Sequence, residues 1–379
     1  PWTLTANVAL AVAPNETYSL VRSPSEQIHE LLIIASARIE AVLGPGWEEV
    51  ASFTGEQLVG LSYEPLYQTA DSDYMHHVVT ANYVSMDDGT GIVHTAPAYG
   101  AEDQELGREW KLPTLHTVDM QGRIEQGTNL PFAGLFVKDA DEPIIHDLTE
   151  RGLLYKSEVI KHTYPFCWRC DSPLLYYAKS SWYLRTTAVQ QRLISGNQEI
   201  NWYPHHIKDG RFGEWLRNNI DWALSRERYW GTPLPIWRCE GCSEYSCIGS
   251  IAELHERAEP ASQQALTGDT LDLHRPHVDH ILITCDRCHG TMRRIPDVAD
   301  AWFDSGAMPF AQAHVMSYDH LERLREDHLF PADYICEAVD QTRGWFYTLH
   351  ALSILITGEP SYKNVICLGL ILDGDGYKM

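Results

Sequence analysis

Three pairs of cysteines, each pair separated by two residues, constrain this chain more than any other feature: Cys167 and Cys170 in YPFCWRCDSP, Cys239 and Cys242 in RCEGCSE, Cys285 and Cys288 in TCDRCHG. A C-x2-C turn aims two thiolates at one ion, and a closed structural zinc site takes four ligands in a tetrahedron. The second and third pairs, on either side of residues 243–284, supply a full set, so residues 238–294 read as a small zinc-binding insertion. The alternative, four buried and reduced thiols, is weaker because free thiols rarely pair twice at ligand spacing. Cys167 and Cys170 are left as half of a site. Cys247, Cys336 and Cys367 have no such spacing and read as core residues.

Close cysteine pairs in a chain of 379 residues suit metal binding in a reducing compartment better than a disulfide framework, which points to the cytoplasm. With 44% hydrophobic residues the chain can bury the cores of two or three domains. No apolar run has the length of a membrane span; LHALSILI and VICLGLIL are short enough for a core helix and a buried strand. PWTLTANVAL lacks the charged start and apolar core of a signal peptide, and Pro1 does not read as a natural start. The net charge of -23, with no basic patch, argues against tight nonspecific nucleic-acid binding by this segment alone. A nucleic-acid substrate held mainly elsewhere is compatible with it.

Residues 1–157 read as a mostly-β domain, because TANVALAVAP, EQLVGLSYEP, HHVVTANYVS and TGIVHTAP alternate or cluster β-formers between turn residues. One helix is expected there, over SPSEQIHELLIIASARIEAVLG, capped by Ser23 or Ser25 and stopped at Gly44. From residue 158 helical stretches such as KDGRFGEWLRNN alternate with apolar runs such as YICEAV and NVICLGLIL, the pattern of an α/β domain.

Three further stretches carry chemistry. GTGIVHTAPAYGAEDQELG gathers glycines, His94 and Asp103, which order a water or an ammonium on one reading and form a hairpin around a core histidine on the other. DWALSRERYWGTPLPIW brings Arg226, Arg228 and three tryptophans together, suited to a planar anion or, equally, to structural Arg–Trp stacking. In ADYICEAVDQTRGWFYTLHALSILITG a strand runs to Val339 and a helix follows with Trp345, Leu349, Leu352 and Ile356 on one face. Ligands of α/β folds sit at the C-terminal ends of strands, which singles out Glu337, Asp340 and Gln341. A turn is expected at Asp373 to Gly376.

Taken together, SRERYWGTPLPIW, DVADAWFDSGAMPF, FPADYICEAVDQTRGWFYTL, PWTLTANVALAVAP and GTGIVHTAPAYGAEDQELG resemble the isoleucyl-tRNA synthetases, class I aminoacyl-tRNA synthetases, over nearly the whole chain. DQTRGW sets the resemblance apart from the valyl and leucyl enzymes. It implies a mostly-β editing domain at 1–157, N-terminally truncated, then at 158–379 the C-terminal half of a Rossmann-like synthetic domain carrying the zinc insertion. It implies that the first domain hydrolyses Val-tRNA(Ile) without a metal, Asp103 holding the aminoacyl ammonium while His94 and Thr3 shape the pocket and position water. Thr5 stands where the family commonly has proline, and threonines usual before Pro1 are not in the chain. In the synthetic domain Trp302 and Trp345 would wall the isoleucine side chain, with Glu337, Asp340 and Gln341 on the aminoacyl-adenylate. Lys378 would open the nucleotide loop KMSKS, whose second lysine, like the HIGH motif, lies outside the chain.

The resemblance further implies ATP and Mg2+ as substrate and cofactor, structural Zn2+, and isoleucine and tRNA(Ile) as partners of a monomer without a membrane. The half-site Cys167/Cys170 would share its ion with a cysteine pair preceding the editing insertion. The chain would then be an internal fragment lacking amino-acid activation. Two readings compete with it: a stand-alone editing hydrolase acting on Val-tRNA, and a non-enzymatic zinc-stapled RNA-binding module.

Overall fold

Six strands order the first part of the chain: β1 (Ala9–Val12), β2 (Thr17–Arg22), β3 (Leu31–Ala35), β4 (Glu48–Thr54), β5 (His77–Thr80) and β6 (Ile92–Thr95). The computed structural model describes residues 1–25, 31–70, 74–128, 130–159, 163–167, 169–266, 271–315, 317–377 and 379. They divide into two compact units, Pro1–Lys179 and Ser180–Met379.

In the first unit β1 lies between β5, parallel to it, and β6, antiparallel. A second sheet, β3-β2-β4, is antiparallel throughout, with an irregularity between Leu20 and Val21. Tyr18 ties the two sheets together. Its fully buried hydroxyl accepts the Ala13 N–H at 2.8 Å and donates to the Gly91 carbonyl at 2.7 Å. Gly91 is required there: its φ is +73°, and a Cβ would lie 2.4 Å from that of Ala35.

The helix expected over 23–44 is not formed as such. Its LLIIA stretch pairs along its whole length with β2, from Tyr18↔Ala35 to Arg22↔Leu31, and only Ile39–Leu43 is α-helical, stopped by Gly44 at φ +82°. A free partner edge on β2 outweighs the modest helical preference of a Leu/Ile run. Residues 26–30, within the expected helix, lie outside the described residues. EQLVGLSYEP is likewise no strand: Gly55–Leu58 is a helical turn closed by a Thr54/Gln57 capping box, and only Ser62 bridges to His77.

Residues just beyond 157 pack back on the first unit. The Ala178 N–H donates to Ala98 O at 2.7 Å, and Tyr177 stacks on His116 at 4.7 Å. The core around them contains Trp2, Tyr99, Ile124, Phe132 and Ile144.

The second unit holds a parallel sheet ordered Ile335–Ala338, Asn364–Leu368, Asn201–Tyr203. The helix Trp345–Ile356 makes the crossover between the first two strands. It is buried on every side from Phe346 to Ile354, rather than along the one expected face, and Ile356 is 45% exposed. Trp202, Phe212, Leu216, Tyr362 and Val365 pack with it. The opposite sheet face exposes Tyr203, Cys336, Ile366 and Leu368. Cys336 and Cys247 are therefore surface residues, contrary to expectation, whereas Cys367 is buried. The turn at Asp373 is present, its carboxylate accepting the N–H groups of Asp375 and Tyr377.

Within the same unit an antiparallel sheet, ordered Tyr245–Cys247, Ile236–Cys239, Thr291–Arg294, Ile283–Thr284, carries the two cysteine pairs. Its own core is Trp237, Ile248, Leu254, Ile281, Ile283 and Met292.

Candidate functional site

Cys239 and Cys285 end or follow strands, and each opens a tight turn. The Cys239 N–H donates to Glu244 O at 2.8 Å and the Ser243 N–H to Cys239 O at 3.2 Å, with Ser243 at φ +59°. The turn at Cys285 repeats this through Gly290 and His289, both at 2.9 Å, with His289 at φ +57°. The two turns face one another so that all four Sγ atoms of Cys239, Cys242, Cys285 and Cys288 lie within 4.8 Å of each other. Cys239 and Cys288 are 3.4 Å apart, Cys242 and Cys285 3.7 Å. A tetrahedron with Zn–S bonds of about 2.3 Å has sulfur–sulfur edges of about 3.8 Å, so the donor set fits zinc. Gly290 leaves room for the sulfurs, since a Cβ would stand 3.3 Å from Cys288 Sγ. The Cys242 N–H, donating to Cys239 Sγ, leads the contacts that hold that thiol down, to about 6.

Cys167 makes the same turn: its N–H donates to Ser172 O and the Asp171 N–H to Cys167 O, both at 2.8 Å, with Asp171 at φ +52°. This knuckle faces no second one among the described residues. Cys170 is exposed, its Sγ 3.3 Å from the Ser172 hydroxyl, and hydrogen bonding of the Ser172 side chain and backbone to the thiolate lowers its pKa.

In the first unit the short 3-10 turn Trp2–Ala6 brings Thr3 to β6, where its hydroxyl meets His94 Nε2 at 3.1 Å. Burial is the main influence on His94 and lowers its pKa; the charge of Asp103 pulls the other way. The imidazole is thus neutral, and its buried Nδ1 has no hydrogen-bond partner. Asp103, in the first turn of the helix Ala101–Trp110, accepts the Ala96 N–H at 2.9 Å and the Tyr83 hydroxyl at 3.2 Å. Thr5 is structural: fully buried, it donates to Trp2 O at 2.9 Å and meets the Thr117 hydroxyl at 2.8 Å. The structure brings Thr3, His94 and Asp103 together, and adds Tyr83, whose distance in sequence from Asp103 hid it.

In the second unit the 3-10 turn Val339–Arg343 follows the strand Ile335–Ala338, at the C-terminal end expected for a ligand site. Gln341 Oε1 accepts the Trp345 N–H at 2.9 Å, and Gln341 Nε2 donates to Asp340 at 3.5 Å. A Cβ on Gly344 would meet the Trp302 ring at 2.9 Å, and Trp345 Nε1 donates to Ser305 O at 3.1 Å. Trp302, Trp345 and Gln341 therefore form one corner, with Glu337 exposed on the strand before it. Two residues missed in the sequence hold this corner: buried Thr342 donates to Val339 O at 2.7 Å and accepts from Arg211 Nε at 2.9 Å. Lys378 lies outside the described residues.

Arg226 is committed elsewhere than to a planar anion. It pairs with Asp300 at 2.7 Å and donates to the Ala223 and Ser225 carbonyls, while Trp222 shares the same carboxylate at 3.2 Å.

The chain belongs to the class I tRNA synthetases (I, L, M and V), whose pattern matches residues 2–379. Among curated relatives it is 52% identical to an isoleucine–tRNA ligase of Dehalococcoides mccartyi, covering all of this chain and 38% of that protein. It is 50% identical to that of Thermus thermophilus, again over all of this chain and 35% of the relative. The chain thus spans 35–38% of the length of these relatives. A solved LeuRS in ternary complex with tRNA and LeuAMS aligns over the whole chain at 16% identity and a TM-score of 0.31, too weak a likeness to argue from. Among the described residues, no helix is long and apolar enough to cross a membrane.

Proposed function

We propose that the chain is the editing unit and the C-terminal part of the synthetic unit of a cytoplasmic isoleucine–tRNA ligase, which activates isoleucine with ATP and Mg2+ and transfers it to tRNA(Ile). The observation that carries the hydrolytic half is the neutral His94 held by Thr3 within the field of Asp103. A single methylene discriminates weakly in a binding pocket, isoleucine against valine being the worked example of that limit, so a second, hydrolytic sieve is needed. Asp103, oriented by the Ala96 N–H and the Tyr83 hydroxyl, is the group to bind the α-ammonium of a misattached valine. His94, with an uncommitted Nδ1 and a Thr3-bound Nε2, is the group to orient the attacking water.

In the second unit Trp302 and Trp345 would offer flat walls to a branched apolar side chain, and Glu337, Asp340 and Gln341 polar contacts to its adenylate. The four clustered cysteines would hold zinc structurally, and Cys167/Cys170 would await a second cysteine pair. The deciding experiment is deacylation of Val-tRNA(Ile) by the parent chain and by Asp103→Ala. A rate reduced roughly a hundredfold or more is expected for the variant; equal rates would remove Asp103 from the mechanism. Salt-sensitive tRNA binding with no hydrolysis by either would favour the RNA-binding module instead.

A further inference from the structure

Among the four clustered cysteines only Cys288 is exposed; Cys239 and Cys285 are buried and Cys242 is half-buried. The buried two belong to the core of the module with Trp237, Ile283 and Met292, so a reagent arriving from solvent meets Cys288 first. Across the gap between the knuckles Cys239 Sγ stands 3.4 Å away, about 1.4 Å beyond the length of a disulfide bond.

Glycine flanks that particular pair of sulfurs on both knuckles. A Cβ on Gly241 would lie 3.8 Å from Cys288 Sγ and 3.9 Å from Cys239 Sγ, and one on Gly290 at 3.3 Å and 3.7 Å. Neither glycine has a positive φ, so the backbone demands neither, and Gly241 is exposed. With hydrogen in place of a side chain, the two leave the Cys239–Cys288 edge of the sulfur cluster bare.

We infer that Cys288 and Cys239 form an oxidation site, at which hydrogen peroxide converts two zinc-bound thiolates into a disulfide and frees the ion. The Cys288 sulfur attacks one peroxide oxygen, the O–O bond breaks, and Cys288 becomes the sulfenic acid while the other oxygen leaves as hydroxide. The Cys239 thiolate then attacks the Cys288 sulfur and displaces a second hydroxide. The two sulfurs together lose two electrons, and the hydroxides take two protons from solvent, so the peroxide ends as two waters. Left with Cys242 and Cys285, the ion has half of its four ligands. The strand Thr291–Arg294 follows this knuckle and ends in buried Arg294, whose guanidinium holds the Leu234 and Asp297 carbonyls where the chain enters and leaves the module. Release of the ion therefore reaches the rest of the unit. The inference rests on the reading of the cluster as a zinc site.

The zinc-loaded 379-residue chain, treated with hydrogen peroxide beside a chromogenic zinc chelator and then mapped by digestion and mass spectrometry, tests it. Zinc release in step with a Cys239–Cys288 bridge is expected, with recovery on adding dithiothreitol and Zn2+. Gly241→Ala, which sets a methyl at ordinary contact distance from both sulfurs, should keep the zinc content and lose about half or more of the release rate, because susceptibility follows exposure. Cys170 is exposed as well, so the treatment is repeated on Cys167→Ser/Cys170→Ser, where release should persist. Release that vanishes in that variant, a bridge from Cys288 to Cys285 instead of Cys239, or an unchanged rate in Gly241→Ala overturns the site. Zinc retained throughout the treatment would sink the oxidation site and leave the metal site standing, whereas a chain that holds no zinc beforehand refutes both.

Discussion

His350 is wholly enclosed: Nε2 reaches the Leu193 carbonyl at 2.8 Å, Nδ1 has no partner, and burial lowers its pKa to about 4. The unfolded chain takes up a proton near pH 6.5 and the folded one resists until about 4, so stability is kept above the unfolded value and lost as pH falls below it. Between pH 7 and pH 5 the cost is about 2 kcal/mol. Urea midpoints should fall accordingly for the parent, and His350→Gln, which can still donate to Leu193, should show a shallower fall. His94 obeys the same physics with a different result, because its depressed pKa leaves a neutral base beside Asp103. Deacylation should therefore persist below the ordinary imidazole range, and a rate that drops through pH 6.5 would show that His94 titrates normally. Both histidines were visible in the sequence. Which of them is core and which faces an aspartate was not, since that depends on what encloses each ring.

At the scale of elements, short-range signals were read well where they stand on one residue's geometry. Gly44 stops a helix, DGDG turns, and each C-x2-C forms its knuckle. They failed at LLIIASARIEAVL, where apolar spacing allows helix or strand and the edge of β2 decides. The Tyr18 hydroxyl shows how much such a junction carries. Tyr18→Phe would strand the Ala13 N–H and the Gly91 carbonyl in the interior, costing about 2–4 kcal/mol, to be read from denaturant unfolding. The zinc knuckles make an equally local prediction. One tightly held zinc per chain is expected, and chelation should disorder Trp237 and its neighbours. Metal analysis returning two tightly held ions would contradict the half-site reading of Cys167/Cys170.

For the molecule as a whole, the parallel sheet is the telling element. Parallel strands are ordinarily covered on both faces, yet here Tyr203, Ile366 and Leu368 are open to solvent. The reading of residues 158–379 as one part of a synthetic unit predicts no isoleucine-dependent ATP/pyrophosphate exchange from the 379-residue chain alone, and a clear exchange signal would overturn that reading. Residue types and spacing foretold what depends on covalent distance: the clustering of Cys239, Cys242, Cys285 and Cys288, and the turn stops at Gly44 and Asp373. Only the fold decided the long-range pairings. Tyr83 meets Asp103, Arg211 holds Thr342, and Arg226 is taken by Asp300 rather than left for a ligand. The reason is physical: a side chain's reach is a few ångströms, so any partner distant along the chain is chosen by how strands pair and what packs between them.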